Sequence, residues 1–119
     1  MQFVTESVRE DLTGKQNLFA RLEPTISDQT ILDSNSSTFP VSQSETRMQY
    51  PQRAVITHWF NPPHLVPTVE VVGGSQTSQA TLATTLALMR RMGKLTVHIR
   101  KELLGFLANR VQVAMFREV

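Results

Sequence analysis

The chain has 119 residues, of which 40% are apolar and 18% charged, with a formal net charge of +2; this balance fits one soluble globular domain and excludes disorder by composition. The basic residues are scattered, the densest cluster being Arg90, Arg91 and Lys94 followed by Arg100 and Lys101, so no basic stripe for nucleic acid is present. Cysteine is absent, no apolar run approaches the roughly 20 residues of a membrane span, and residues 1–6 do not resemble a signal peptide, so the expected location is the cytoplasm or an organelle matrix.

Apolar runs of strand length alternate with stretches of helical period along the chain. Phe3 and Val4 end a first strand, and residues 8–22 carry Leu12, Leu18, Phe19 and Leu22 as a helical stripe that Pro24 stops. Residues 30–32 predict a short strand. It runs into Ser34, Asn35, Ser36, Ser37 and Thr38, a hydroxyl and amide cluster expected in a loop and not in a core. Residues 41–52 are polar and predict a short helix plus turn. Residues 54–57 and 69–72 have the apolar, β-branched make-up of buried strands, the second stopped by Gly73 and Gly74. Ser78 opens a helix with Leu82, Leu86 and Met89 on one face, and Gly93 closes it. Residues 95–99 alternate as a half-buried edge strand, and residues 103–119 return to helical spacing. The order β-α-β-β-β-α-β-α predicts an α/β sheet.

Residues 57–72, THWFNPPHLVPTVEVV, carry the densest chemical signal. His58 closes an apolar strand, Pro62 and Pro63 lock a turn, and Glu70 sits between Val69 and Val71, where a carboxylate is costly unless partnered. A base and its orienting carboxylate would meet these conditions. In open α/β sheets ligands bind outside the carboxyl ends of the strands, and Ser37, His58 and Asn61 all follow strands there. Each residue has a bland alternative. His64 and His98 read as structural, Glu70 as a residue on an exposed sheet face, residues 34–38 as a solvated turn, and Asn109 as an ordinary polar position on an amphipathic helix. Lys15 reads as a solvated helix charge, and Trp59, Phe60 and Phe106 as core. No zinc-ligand spacing and no serine-protease constellation occurs, so no metal is expected.

Four blocks in order, SNSST at 34–38, HWFNPPH at 58–64, VEVV at 69–72 and GFLANR at 105–110, together resemble the 3-hydroxyacyl-CoA dehydrogenase family. Upstream, FVTESVREDLTGKQNLF at 3–19 resembles the family's strand, acidic turn and Lys-bearing helix, so the likeness covers nearly the whole chain. The doubled proline of HWFNPP and the run Arg100, Lys101, Glu102 look like the branch of carnitine, L-gulonate and lambda-crystallin-type dehydrogenases. The resemblance implies a partial Rossmann-like, doubly wound α/β domain over residues 1–102, the C-terminal half of an NAD-binding domain. Residues 103–119 would begin the helical C-terminal domain through which family members dimerise. The family's GxGxxG turn, which holds the dinucleotide pyrophosphate at a helix N-terminus, has no counterpart among Gly14, Gly73, Gly74, Gly93 and Gly105. Leu104 stands where many relatives have proline.

The resemblance further implies NAD as cofactor and, as substrate, a hydroxyacyl-CoA or small hydroxy acid oxidised at a secondary 3-hydroxyl. It makes His58 the general base, Glu70 the acceptor of the ring's other N–H, and Ser37 and Asn109 donors that place the substrate oxygen against His58. Glu10, Lys15, Ser37 and Asn61 match cofactor contacts. Two expectations for the chain follow: a dehydrogenase by descent that is inactive alone, or a truncated, non-catalytic product that acts through protein association. In either case half a sheet exposes apolar edges and faces, and self-association is expected.

Overall fold

The computed structural model describes residues 2–36, 38–102, 106 and 108–118. Its elements in chain order are β1 (Phe3–Glu6), α1 (Leu12–Leu22), β2 (Ile31–Ser34), α2 (Val41–Ser44), β3 (Ala54–Trp59), β4 (Thr68–Gly73), α3 (Gln79–Arg91), β5 (Leu95–Ile99) and α4 (Ala108–Arg117). The strands lie side by side in the order β1-β2-β3-β4-β5. β1, β2 and β3 run parallel, β4 turns back antiparallel to β3, and β5 runs parallel to β4. The carboxyl ends of the first three strands therefore share one rim, where a doubly wound sheet receives its ligands.

Alternation along the strands divides the apolar residues between two cores. Val4, Leu32, Ala54, Ile56 and Val72 face α1 and α2 and pack against Phe19, Leu22 and Val41, whereas Ile31, Val55, Val69 and Val71 face α3 and pack against Leu82 and Met89. Burial on both faces explains why the central strands read as continuous apolar runs. The Ser78 side chain caps α3 by accepting from Thr81 N at 3.1 Å, and Gly93 leaves the helix with φ +84°, a conformation that glycine adopts without penalty. Gly74 is required for a different reason. A Cβ there would lie 2.6 Å from Val41 Cγ1 and 2.9 Å from Ser42 Oγ, so its bare backbone lets the end of β4 approach α2.

Element order and type match the expectation, with four corrections. Helix α1 begins at Leu12, not near residue 8. β2 continues through Asp33 and Ser34, both buried, so the polar cluster expected to be loop begins inside the core. β5 is more open than a half-buried strand, with Leu95 and Val97 exposed. The last helix occupies Ala108–Arg117, and the residues 103–105, 107 and 119 of that stretch lie outside the described part. Among the described residues no helix is long and apolar enough to cross a membrane.

Candidate active site

The antiparallel ladder of β3 and β4 pairs His58 directly with Glu70. Residues opposite each other on adjacent strands put their Cβ atoms on the same face at about 5 Å, and here that face also carries Ile56 and Val72. His58 Nδ1 lies 3.5 Å from Glu70 Oε1. That is ion-pair range but long for a hydrogen bond, and Nδ1 has no aligned hydrogen-bond partner among the described residues. Both groups are buried, at 5% and 2% exposure, which rules out the reading of Glu70 as a surface residue. The same Glu70 oxygen accepts from the backbone N–H of Ala108 at 3.2 Å, so the carboxylate sits at the start of α4, where unpaired amides and the helix dipole favour an anion.

Two aromatic rings flank the imidazole. Phe60 and Phe106 lie with their centroids 4.9 and 5.2 Å from that of His58, both tilted. Phe106 is fully buried, as expected of a core residue, and holds φ 54°, a left-handed conformation that is strained for a side chain of this size. Phe60 and Trp59 are only half-buried. The indole of Trp59 donates to Thr57 Oγ1 at 3.0 Å, and Lys94 Nζ stands 5.2 Å from the centre of the ring.

A second polar cluster occupies the rim at the ends of β1 and β2. Glu6, the last residue of β1, is buried and accepts from Lys15 Nζ at 2.7 and 2.9 Å, from Val8 N at 3.0 Å, and from the Ser34 hydroxyl. Lys15 also reaches Glu10 at 3.3 Å, and Ser36 Oγ donates to Glu10 at 3.1 Å. Because Ser34 Oγ in turn accepts from Ser36 N at 3.2 Å, the five residues close a ring. Lys15 is 1% exposed and so is not the solvated helix charge of the bland reading, while Glu10 keeps part of its carboxylate open at the rim.

The expected site residues therefore divide. His58, Glu70 and the start of α4, which includes Asn109, come together. Glu10 and Lys15 come together with Ser36 at the neighbouring strand ends. Ser37 lies outside the described residues. Asn61 is exposed and opens the turn after β3 through a cis bond to Pro62, and among the described residues it makes no hydrogen bond to either cluster. Sequence reasoning missed Glu6, Ser34, Ser36 and Asp33. The available signal was the alternation in β1, which puts Glu6 on the same face as the core residue Val4. Among the described residues no group of three or more potential ligands could hold a metal ion.

Comparison with known proteins matches this arrangement to a family. Residues 1–103 match the model of the 3-hydroxyacyl-CoA dehydrogenase NAD-binding domain. The chain is 40% identical over 117 residues to an L-carnitine dehydrogenase of Streptomyces griseus, covering 98% of this chain and 35% of that enzyme. It is 37% identical over 115 residues to lambda-crystallin of Oryctolagus cuniculus, covering 97% of this chain and 36% of that protein. The crystal structure of 5-formyl-3-hydroxy-2-methylpyridine 4-carboxylic acid 5-dehydrogenase, described as an NAD+ dependent dismutase, superposes with a TM-score of 0.93 at 37% identity, covering 98% of this chain and 38% of that one. The chain thus spans little more than a third of the length of these relatives. Its mixed sheet is an α/β Rossmann-like fold, and the domain it matches is one that binds NAD. The chain belongs to the 3-hydroxyacyl-CoA dehydrogenase family, and its first 103 residues to that family's NAD-binding domain.

Proposed function

We propose that these residues supply the acid-base half of an NAD-dependent dehydrogenase that oxidises a secondary 3-hydroxyl to a ketone. The observation that carries this reading is the buried rung of His58 and Glu70, 3.5 Å apart at the strand rim. A neutral imidazole takes the hydroxyl proton on Nε2, the nitrogen turned away from Glu70, and the carboxylate stabilises the imidazolium that forms. The long contact suits that role, since such hydrogen bonds tighten only when substrate arrives. Phe60 and Phe106 keep water from the ring, and Asn109, beside the Ala108 amide that binds Glu70, donates to the substrate oxygen together with Ser37.

The donor set at the strand rim fits the cofactor. The partly open carboxylate of Glu10, the hydroxyl of Ser36 and the exposed amide of Asn61 suit ribose hydroxyls and a carboxamide. When bound, NAD supplies the hydride acceptor. Glu10, Ser37 and Asn61 would hold it, and the buried Lys15 acts through Glu10, whose carboxylate it fixes. We read residues 1–102 as the second half of the nucleotide-binding domain and 103–119 as the start of a helical domain, in a cytoplasmic or organelle-matrix enzyme.

The substrate is a hydroxyacyl-CoA or a small polar hydroxy acid of the carnitine or L-gulonate type. The likeness to L-carnitine dehydrogenase supports the second class. None of the five glycines forms a GxG turn, and these 119 residues are proposed to be inactive by themselves. Nicotinamide absorbance would be followed on the purified chain with both substrate classes, and robust turnover abolished by His58→Ala would refute inactivity. The mechanism is tested in a chimera that sets these residues between the glycine-rich unit and the helical domain of L-carnitine dehydrogenase. There His58→Ala should cost about 10²- to 10⁴-fold in kcat, and unchanged turnover would sink the assignment.

A further inference from the structure

The face of the sheet opposite the His58 and Glu70 side chains carries a buried carboxyl that the proposed reaction does not use. Asp33 lies within β2 and is 1% exposed, on the face that also carries Ile31 and Val55. Its Oδ1 accepts from the backbone N–H of Thr57 at 2.8 Å, and its Oδ2 is shared between the hydroxyls of Thr57 at 2.7 Å and Thr5 at 3.0 Å. The ladder between β2 and β3 ends at the pair Ser34 and Ile56. Thr57 is thus the first residue of β3 beyond that ladder, and the Asp33 side chain takes the place of the missing backbone acceptor. Thr57 Oγ1 in turn accepts from the indole of Trp59. One carboxyl therefore pins the residue before His58 and, through one hydroxyl, the residue after it.

We propose that Asp33 is a positioning residue for His58, holding the tip of β3 so that the imidazole stays over Glu70. Thr5, which anchors the same carboxyl from β1, immediately precedes Glu6, so the strut also registers the base against the polar ring at the cofactor rim. The proposal rests on the reading of His58 as the base, but its geometry is tested without turnover. Burial pushes the Asp33 carboxyl up to about 8, against the hydrogen bonds from Thr57 and Thr5, and the neighbouring Glu6 carboxylate on β1 adds to the rise. A carboxyl held neutral can both accept from the Thr57 amide and donate to one of the two hydroxyls, which asparagine reproduces and leucine does not.

The test uses the full chain, whose single tryptophan is Trp59. The indole N–H and the His58 ring resonances are followed by NMR in wild type, Asp33→Asn and Asp33→Leu. Asp33→Asn should keep both signals where wild type has them, and Asp33→Leu should move both together. A folded Asp33→Leu with His58 unmoved would overturn the proposal, and so would an Asp33→Asn that moves the signals as far as leucine does. Should Asp33→Leu fail to fold, the pH titration of wild type decides. The Trp59 and His58 signals should shift through a common transition near pH 8 that is missing in Asp33→Asn, and no common transition would refute the coupling. A failure here would leave the chimera's turnover test of His58 intact, and the reverse also holds.

Discussion

Lys15→Met isolates the contribution of the buried ion pair under the strand rim. The substitution keeps most of the side chain's volume but removes the ammonium that donates twice to Glu6, at 2.7 and 2.9 Å, in a site where both side chains are at most 3% exposed. Breaking a buried pair by removing one partner costs about 3–5 kcal/mol, because the remaining charge is uncompensated. Glu6 would still accept from Val8 N and from Ser34, so the lower end, about 3 kcal/mol, is expected. For a domain of this size that corresponds to a fall in Tm of roughly 10–15 °C. Urea unfolding followed by circular dichroism measures it. The double variant Glu6→Gln with Lys15→Met should return to within about 1 kcal/mol of wild type, since replacing both members of a buried pair is often close to neutral. A single variant within about 0.5 kcal/mol of wild type, or a double variant less stable than the single, would refute the idea that Glu6 depends on Lys15 for its charge.

Three further outcomes are expected. Asp33 and Glu45 both have raised pKa values, from 3.8 to about 8 and from 4.5 to about 7; burial is the main cause, and for Glu45 the Glu102 carboxylate adds to it. Between the unfolded and folded values the native state binds more protons. Their contribution to stability is therefore fully present below about pH 4 and is lost as pH rises to about 8, by up to several kcal/mol, so a denaturation series whose stability rises across that window would contradict it. Gly74→Ala forces a Cβ to 2.6 Å from Val41 Cγ1 and should destabilise by about 1–3 kcal/mol, as read by thermal melting. The exposed apolar residues of α4, Val111, Met115 and Phe116 among them, should drive concentration-dependent self-association that Val111→Lys with Met115→Lys reduces, a change visible by light scattering.

Much of the fold follows from period alone. The runs at 54–57 and 69–72 are apolar because both faces of β3 and β4 are covered, and Ser78 and Gly93 bound α3 by ordinary capping chemistry. The pairing of His58 with Glu70 was foreseeable because a carboxylate amid valines needs a partner. Whether the two strands ran parallel or antiparallel was not written in residues 60–67, and only the latter makes them one rung. Ser34 and Asp33 resisted reading for the opposite reason. A polar residue in a strand of four is indistinguishable from a loop residue until its partners, here Glu6, Thr5 and Thr57, arrive from 24 to 28 positions away. Lys15 was similarly hidden, since a lysine in a helix looks solvated until a buried carboxylate is found beneath it.

His58 and Glu70 occupy opposing positions of a two-strand ladder, so their separation is dictated by amide bonding between backbones and hardly by the loop that joins them. That loop, residues 60–67, is largely exposed and lies next to the rim. The spacing of the two side chains is thereby set by main-chain geometry, whereas the neighbouring loop is free to drift. Surface residues of such a loop can change while the His58 and Glu70 rung keeps its place.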